Sequence, residues 1–267
     1  MGLVRQCASH PPAVLRCFSL IFVIPMAGES RRFRAAGYER PKYELVLHGR
    51  PAFDHALNSF VSYFETAPFL FVIRAAAADF VRERCRILRI RNPLIVPLDQ
   101  GTSGQAESVL RGIDAAAVPD GESITIFNID TFRPGYRSPE FACDGYIEVF
   151  HGQGSGWSFV AAHVSRVFGV SETAEKLPIS NLCCTGIYQF GAASEFRWAY
   201  DNPARARSDA ERTERYVAPL YNPLIARGRD IRYGLIAAKD VIFCGTPEQY
   251  RHCQDSAEIR SRLGTAS

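Results

Sequence analysis

Arg31, Arg32, Arg34, Arg40 and Lys42 follow directly on a short apolar run, Leu20 to Pro25, and on the small residues Ala27 and Gly28. A strand that ends in a small-residue turn offers free backbone N–H groups. With arginines beside it, such a turn is suited to a polyanion, phosphate above all. Arginine adds flat, two-pronged contacts to phosphate oxygens, and lysine adds a compact charge. A Gly turn beside basic residues is a weak signal alone, but here Pro41-Lys42 closes the loop and the apolar Tyr43 to Leu47 follows. A second element points the same way. Asn128-Ile129-Asp130 ends the apolar run Ser123 to Ile129, and a carboxylate at a strand end, facing a phosphate loop, is where Mg2+ bridging phosphate oxygens would be held. The plainer reading makes Asp130 a cap on the turn from Thr131 to Gly135.

These residues need a frame. Apolar runs at Phe69 to Ile73 and Leu94 to Leu98 read as further buried strands. Between them, Pro51 to Tyr63, Ala77 to Leu88 and Gln105 to Ala117 carry apolar residues at helical spacing. Such alternation with short links predicts a mostly parallel sheet covered on both faces. Ligands of such sheets gather at the carboxyl ends of the strands, where the basic loop, Gly101-Thr102 and Asp130 all fall. From Gly145 the pattern changes. Tyr146 to Phe150, Ser158 to His163 and Cys184 to Phe190 read as aromatic-rich added strands that wall a pocket, with Trp157 and Tyr146 as candidate lining. Helical character returns from Ala192 to Leu224. Two short strands follow at Asp230 to Ala237 and Lys239 to Cys244, and a last helix opens at Pro247.

At 267 residues the chain has room for one large domain with a substantial core. A net charge of +3 from scattered basic residues argues against nucleic-acid binding. The eight cysteines include no C-x-x-C pair, which excludes the common zinc patterns and suits idle thiols in a reducing cytoplasm. No apolar stretch is long enough to cross a membrane. Residues 1–19 read as an N-terminal extension, disordered or an over-extended start. They are followed by a single domain over 20–255, divided into a nucleotide half (20–135) and an acceptor half (136–255), and by a tail over 256–267.

The segment FVIPMAGESRRFRAAGYERPK resembles the signature loop of the nucleotidyltransferases that join an NTP to a sugar 1-phosphate: an apolar strand, A-G-x-G-[ST]-R-[FL], then P-K. Ala27, Gly28, Arg32, Phe33, Pro41 and Lys42 match. Ser30 stands where the second glycine is expected, and Arg31 where Ser or Thr is expected. The resemblance runs in motif order from about residue 20 to 252 and implies a Rossmann-like α/β fold of the nucleotide-diphospho-sugar transferase (GT-A-like) type. It gives Ala27, Gly28, Glu29, Ser30 and Arg31 to nucleotide binding. Gly101, Thr102 and Gln105, in L-D-Q-G-T-S-G-Q-A, look like the base-recognition loop, although each also suits an ordinary turn and first helical turn. Glu175-Lys176, with Thr185-Gly186 after it, resembles the acceptor-binding element; a lone Glu-Lys pair is otherwise a solvated face. Phe243 stands where the family often has a second metal-binding Asp, with Asp240 or Asp144 as conceivable substitutes.

The resemblance implies in-line attack by an acceptor phosphate on the α-phosphorus of CTP, UTP or dTTP, with pyrophosphate leaving and Mg2+ as cofactor. Arg32, Lys42 and Asp130 would be the catalytic residues, Asp130 as metal ligand. The wording I-P-M-A-G and F-N-I-D-T-F resembles enzymes of capsule or surface-polysaccharide assembly. Two rivals stand beside this reading: a metal-dependent glycosyltransferase of the same fold, which would normally show D-x-D where this chain has N-I-D, and a non-catalytic nucleotide-sugar sensor. Base, acceptor and oligomeric state, including a homo-oligomer, are left open by the sequence.

Overall fold

The structure, a computed structural model, describes residues 20–206 and 213–264. The extension assigned to 1–19 therefore lies outside the described residues, as do 207–212 and 265–267.

Thirteen strands occur among the described residues: β1 (Leu20–Pro25), β2 (Val46–Leu47), β3 (Arg50–Pro51), β4 (Pro68–Arg74), β5 (Asn92–Leu98), β6 (Ser123–Phe127), β7 (Thr131–Phe132), β8 (Gly145–His151), β9 (Ser158–Ala162), β10 (Val170–Glu175), β11 (Leu182–Phe190), β12 (Ile231–Ile236) and β13 (Ile242–Phe243). Nine of them form one mixed sheet in the order β10-β9-β11-β6-β1-β4-β5, with β8 pairing both β11 and β12. The first half is parallel, as expected: β1 pairs with β4 and β6, and β4 with β5. At β6 the sheet changes character, because β11 joins it antiparallel, with Ile187 opposite Phe127. β5 is an edge strand carrying Pro93 and Pro97, residues that blunt a free edge.

Strand alternation divides the core between two faces. Phe22 and Ile24 of β1, with Phe69, Phe71 and Ile73 of β4, pack among Phe60, Phe127, Phe132 and Tyr136 on one face. Val23, Leu70 and Val72 turn the other way, onto Val109, Ile113 and Phe196. Both faces are buried, so these strands read as continuous apolar runs rather than as alternating ones.

Several element boundaries differ from the sequence reading. The helix expected over 51–63 ends at Leu57 and continues as a 3-10 turn, Asn58–Tyr63, with Phe60 non-helical at φ −115°, ψ 21°. That departure seats the Phe60 ring 4.7 Å from both Phe22 and Phe127. Within the helical stretch 192–224, Ala193–Asp201 and the start of Tyr221–Ala226 are α-helices, and Ala218–Leu220 is a 3-10 turn. The first of these stops before Asn202-Pro203, as a residue preceding proline favours. The strand expected over 239–244 contracts to β13, which pairs with β7, and Ala238–Asp240 is a 3-10 turn. The tail assigned to 256–267 holds a further helix, Ala257–Leu263, whose N-cap Ser256 accepts from the Ile259 N–H and whose Ile259 is buried. Strand β10 and the short β2–β3 and β7 pairings carry too few periodic residues to stand out in the sequence.

Candidate active site

At the carboxyl ends of β1 and β6 a cavity of about 700 Å³ opens, lined by the 25–33 loop, Lys42, Arg74, the 101–105 loop and Asp130. All the residues expected to bind nucleotide lie on it. The loop is anchored from below, since Met26 donates its N–H to the Val72 carbonyl at 2.8 Å. Phe33, on the one-turn helix Arg31–Ala35, is buried against Tyr38 and Tyr250. That anchor leaves Arg31, Arg32 and Arg34 exposed.

Ser30 explains why the motif wants glycine at its position. Its φ of 53° is left-handed, a conformation that costs a non-glycine residue about 1–2 kcal/mol. The side chain gives something back, because Ser30 Oγ accepts the Lys42 N–H at 3.3 Å and ties the two ends of the loop together. The charge of Arg31 is balanced locally: its Nε lies 3.0 Å from Glu29, which also faces Arg74 at 3.5 Å. The Arg31 pair holds the Glu29 carboxyl below the usual range.

The centre of the site is an ion pair. Lys42 Nζ donates to Asp130 Oδ2 at 2.6 Å, each side chain about one-quarter exposed. Burial pushes the Asp130 carboxyl up, but the charge and hydrogen bond of Lys42, with Arg32 further away, outweigh it and leave the group below the ordinary carboxylate range. Asp130 is positioned by backbone as well. Its carbonyl accepts the Cys244 N–H at 2.8 Å, and a Cβ at Gly245 would stand 2.7 Å from Asp130 Oδ2. Gly245, two residues before Pro247, thus lies against the carboxylate, so this segment is more than a helix start. Thr246 and Gln249 complete a capping box on the helix Pro247–Asp255.

On the base loop, Thr102 Oγ1 lies 2.7 Å from Ser108 Oγ. Gln105 Nε2 donates to Asn128 Oδ1, and Asn128 donates its N–H to the Gly186 carbonyl at 3.1 Å. Gly186, at φ 99°, leaves room for Asn128, since a Cβ there would meet its side chain at 3.0 Å. The loops after β5 and β6 are therefore locked to β11.

A second cavity of about 460 Å³ adjoins the first and shares Arg32, Gln105, Asn128, Asp130, Glu214 and Gly245 with it. Glu175, Lys176, Thr185 and Gly186, the residues expected to take the acceptor, all line it. Buried Glu175 accepts from Ser158 Oγ, and Lys176 Nζ donates to Tyr216 OH at 2.6 Å. Thr185 also donates to the Glu148 carboxylate at 3.2 Å. Trp157 lines this cavity as expected, with Phe243 4.6 Å from its ring. Tyr146 does not: it is core, buried between β8 neighbours and the close backbone of Gly234.

Phe243, where a second metal-binding carboxylate was sought, belongs to an aromatic wall with Trp157 and Phe150. Neither suggested substitute reaches the site. Asp144 Oδ2 accepts the Asp230 N–H at 2.8 Å, and Asp240 lines neither cavity. Among the described residues no three His, Cys, Asp or Glu side chains converge as a self-sufficient metal site. Mg2+ commonly binds through one or two carboxylates completed by substrate phosphates and water, and Asp130, at the junction of the cavities, fits the one-carboxylate form. Sequence reasoning missed Glu214 and Tyr216, which lie in a polar, arginine-rich stretch with no spacing to mark them. Among the described residues no helix is long and apolar enough to cross a membrane.

Comparison with known proteins agrees with this geometry. A nucleoside-diphosphate-sugar pyrophosphorylase from Vibrio cholerae RC9 is 46% identical, covers 88% of this chain and 100% of its own, and superposes with a TM-score of 0.82. The inositol-1-phosphate CTP transferase of T. maritima (12% identity; 92% of this chain and 98% of that one; TM-score 0.70) shares the fold. So does a UTP-bound UGPase from Acinetobacter baumannii (13%; 88% and 92%; 0.62). Among curated proteins, the 2-C-methyl-D-erythritol 4-phosphate cytidylyltransferase of Azoarcus sp. (strain BH72) is 33% identical over 112 residues, 42% of this chain. That match spans 45% of the relative, less than half its length. No family model matches the chain.

Proposed function

The chain belongs to the nucleoside-diphosphate-sugar pyrophosphorylases, and from that premise we propose that it joins CTP, UTP or dTTP to a sugar 1-phosphate or similar phosphorylated small molecule, releasing pyrophosphate. The observation that carries this reading is the Lys42–Asp130 pair at the junction of two cavities, one lined by the phosphate loop and the other by Lys176. An acceptor phosphate and an α-phosphorus brought to that junction would stand beside Lys42 and Asp130, and alignment with charge neutralisation is most of what such chemistry requires.

The roles follow from position. The loop N–H groups and Arg32 hold the triphosphate, and Arg32, which lines both cavities, stabilises the departing pyrophosphate. Lys42 neutralises charge on the α-phosphate and the incoming oxygen. Lys176 fixes the acceptor phosphate, and Glu175 and Thr185 contact the rest of the acceptor. Asp130 would hold Mg2+, which when bound supplies charge neutralisation between phosphate oxygens. No side chain need remove a proton, because a phosphate monoester is largely dianionic near pH 7, with a second pKa of about 6. The resemblance to polysaccharide-assembly enzymes makes a capsule or surface-polysaccharide precursor our choice of product, formed in the cytoplasm.

The test is pyrophosphate release with Mg2+, each NTP in turn, against a panel of sugar 1-phosphates and other phosphorylated small molecules. One base and one acceptor should give turnover, and Lys42→Ala and Asp130→Ala should each lower it by about 10²–10³, the loss typical of removing one transition-state contact. Turnover unaffected by either substitution would sink the assignment. NTP binding without turnover across the panel would favour the sensor reading instead.

A further inference from the structure

We propose that residues 213–217 form a strap coupling the two cavities, with Tyr216 as the residue that positions Lys176 for the acceptor phosphate. The inference rests on the nucleotidyltransferase reading above.

The strap crosses from one cavity to the other. Thr213 and Glu214 line the nucleotide cavity, and Glu214, Tyr216 and Val217 line the acceptor cavity. Its middle is stitched to the base loop by backbone alone: Arg215 donates its N–H to the Ser103 carbonyl at 2.8 Å, and its carbonyl accepts from Ala106 at 2.9 Å. The fit is tight, since a Cβ at Gly104 would fall 2.5 Å from the Arg215 oxygen. At the other end Val217 is buried, and the next carbonyl, Ala218, accepts Thr173 Oγ1 at 2.6 Å. Thr173 lies on β10, the strand that delivers Glu175 and Lys176.

Between these anchors, side chains make a relay. Tyr216 OH donates to Glu214 and accepts from Lys176 Nζ at 2.6 Å, and the same ammonium sits 4.8 Å from the Tyr216 ring centroid. Lys176 has a left-handed backbone, φ 52°, and a long, rotamer-rich side chain. A fixed hydroxyl beside its ammonium restricts where that charge can point. A base seated on the 101–105 loop holds the strap, and the strap holds the hydroxyl. Nucleotide binding therefore lowers the cost of ordering Lys176, and by reciprocity a bound acceptor phosphate favours nucleotide.

Inorganic phosphate serves as the probe of the acceptor end, titrated with and without the α,β-methylene analogues of CTP, UTP and dTTP in Mg2+. The chain has two tryptophans, so Trp198→Phe leaves Trp157, on the acceptor cavity, as the fluorescent reporter. In that background an analogue that binds should tighten phosphate by about fivefold or more. Tyr216→Phe, which keeps the ring, should weaken phosphate about tenfold with the analogue bound. It should also abolish the nucleotide effect and leave analogue affinity and melting temperature unchanged. Lys176→Ala should remove the phosphate signal. If an analogue binds but Tyr216→Phe matches the parent, or phosphate affinity in the parent ignores the nucleotide, the coupling is wrong while the enzymatic reading stands. If no analogue binds the parent protein, the enzymatic reading fails and the coupling with it.

Discussion

A lysine and an aspartate 88 positions apart meet at 2.6 Å in the middle of the cleft, and each sets the other's chemistry. Burial alone would raise the Asp130 carboxyl; Lys42 reverses that and keeps it ionised. Because the folded pKa is depressed, the ionised group stabilises the fold above the ordinary carboxylate value of about 3.9, and this is lost as pH falls through the depressed value. Lys42→Met should therefore lift the Asp130 pKa above about 3.9, read as the carboxyl resonance that Asp130→Asn deletes. An unchanged value would mean that burial is weaker than the geometry implies. The same depression removes Asp130 from the working pH range, so the acid limb of kcat/KM should follow the acceptor phosphate, near pH 6. An acceptor phosphonate of different pKa should move that limb by its own difference, and a limb fixed near one pH for both acceptors would assign it to the protein. At this scale much was legible. Arg32, Lys42, Asp130, Glu175 and Lys176 all reach the cavities, because residue type and motif order mark them. What the sequence hid are partners chosen by folding: Glu29 for Arg31, Asn128 for Gln105 and Tyr216 for Lys176.

Short irregular elements position the long regular ones' chemistry. β13 has two residues, yet by pairing with β7 it places Phe243 opposite Thr131 and lays Gly245 against Asp130. A substitution there tests position without touching charge. Gly245→Ala would put a methyl 2.7 Å from Asp130 Oδ2, and a misplacement of about 1 Å near the chemistry costs on the order of 10²-fold. Turnover should fall about 10- to 100-fold with melting temperature almost unchanged; full activity would show that the carboxylate has room to spare. Such pairings escape a periodicity reading because two residues carry no period. The long apolar strands were legible for the opposite reason: β1 and β4 are buried on both faces, and their composition announces it. The helix over 51–63 shows the limit between these cases. Its spacing is helical, but seating Phe60 in the aromatic core outweighs the last turn of α-helix.

The cleft lies where the parallel and antiparallel parts of one sheet meet. β6 delivers Asp130 from its parallel side, and β11, paired with it antiparallel, delivers Thr185 and Gly186 from the other. The residues expected to take nucleotide and acceptor are thus carried by strands of one continuous sheet. The Val23 face binds the halves further, since Ile21 and Val72 share one core cluster with Ile147, Val160 and Leu182. The division expected at about residue 135, with nucleotide bound before it and acceptor after it, is therefore crossed by one shared core. That makes a measurable claim. Thermal unfolding followed by far-ultraviolet circular dichroism reports on the whole sheet, while Trp157 and Trp198 report on the acceptor side; the two curves should coincide as one transition. On the proposed function, a saturating Mg–NTP held mainly by the first half should shift both together, by RT ln(1 + [L]/Kd), about 2.7 kcal/mol at a hundredfold excess over Kd. Separate transitions, or a shift confined to the circular dichroism signal, would show that the halves fold independently. The cleft would then be an interface between domains rather than a seam within one.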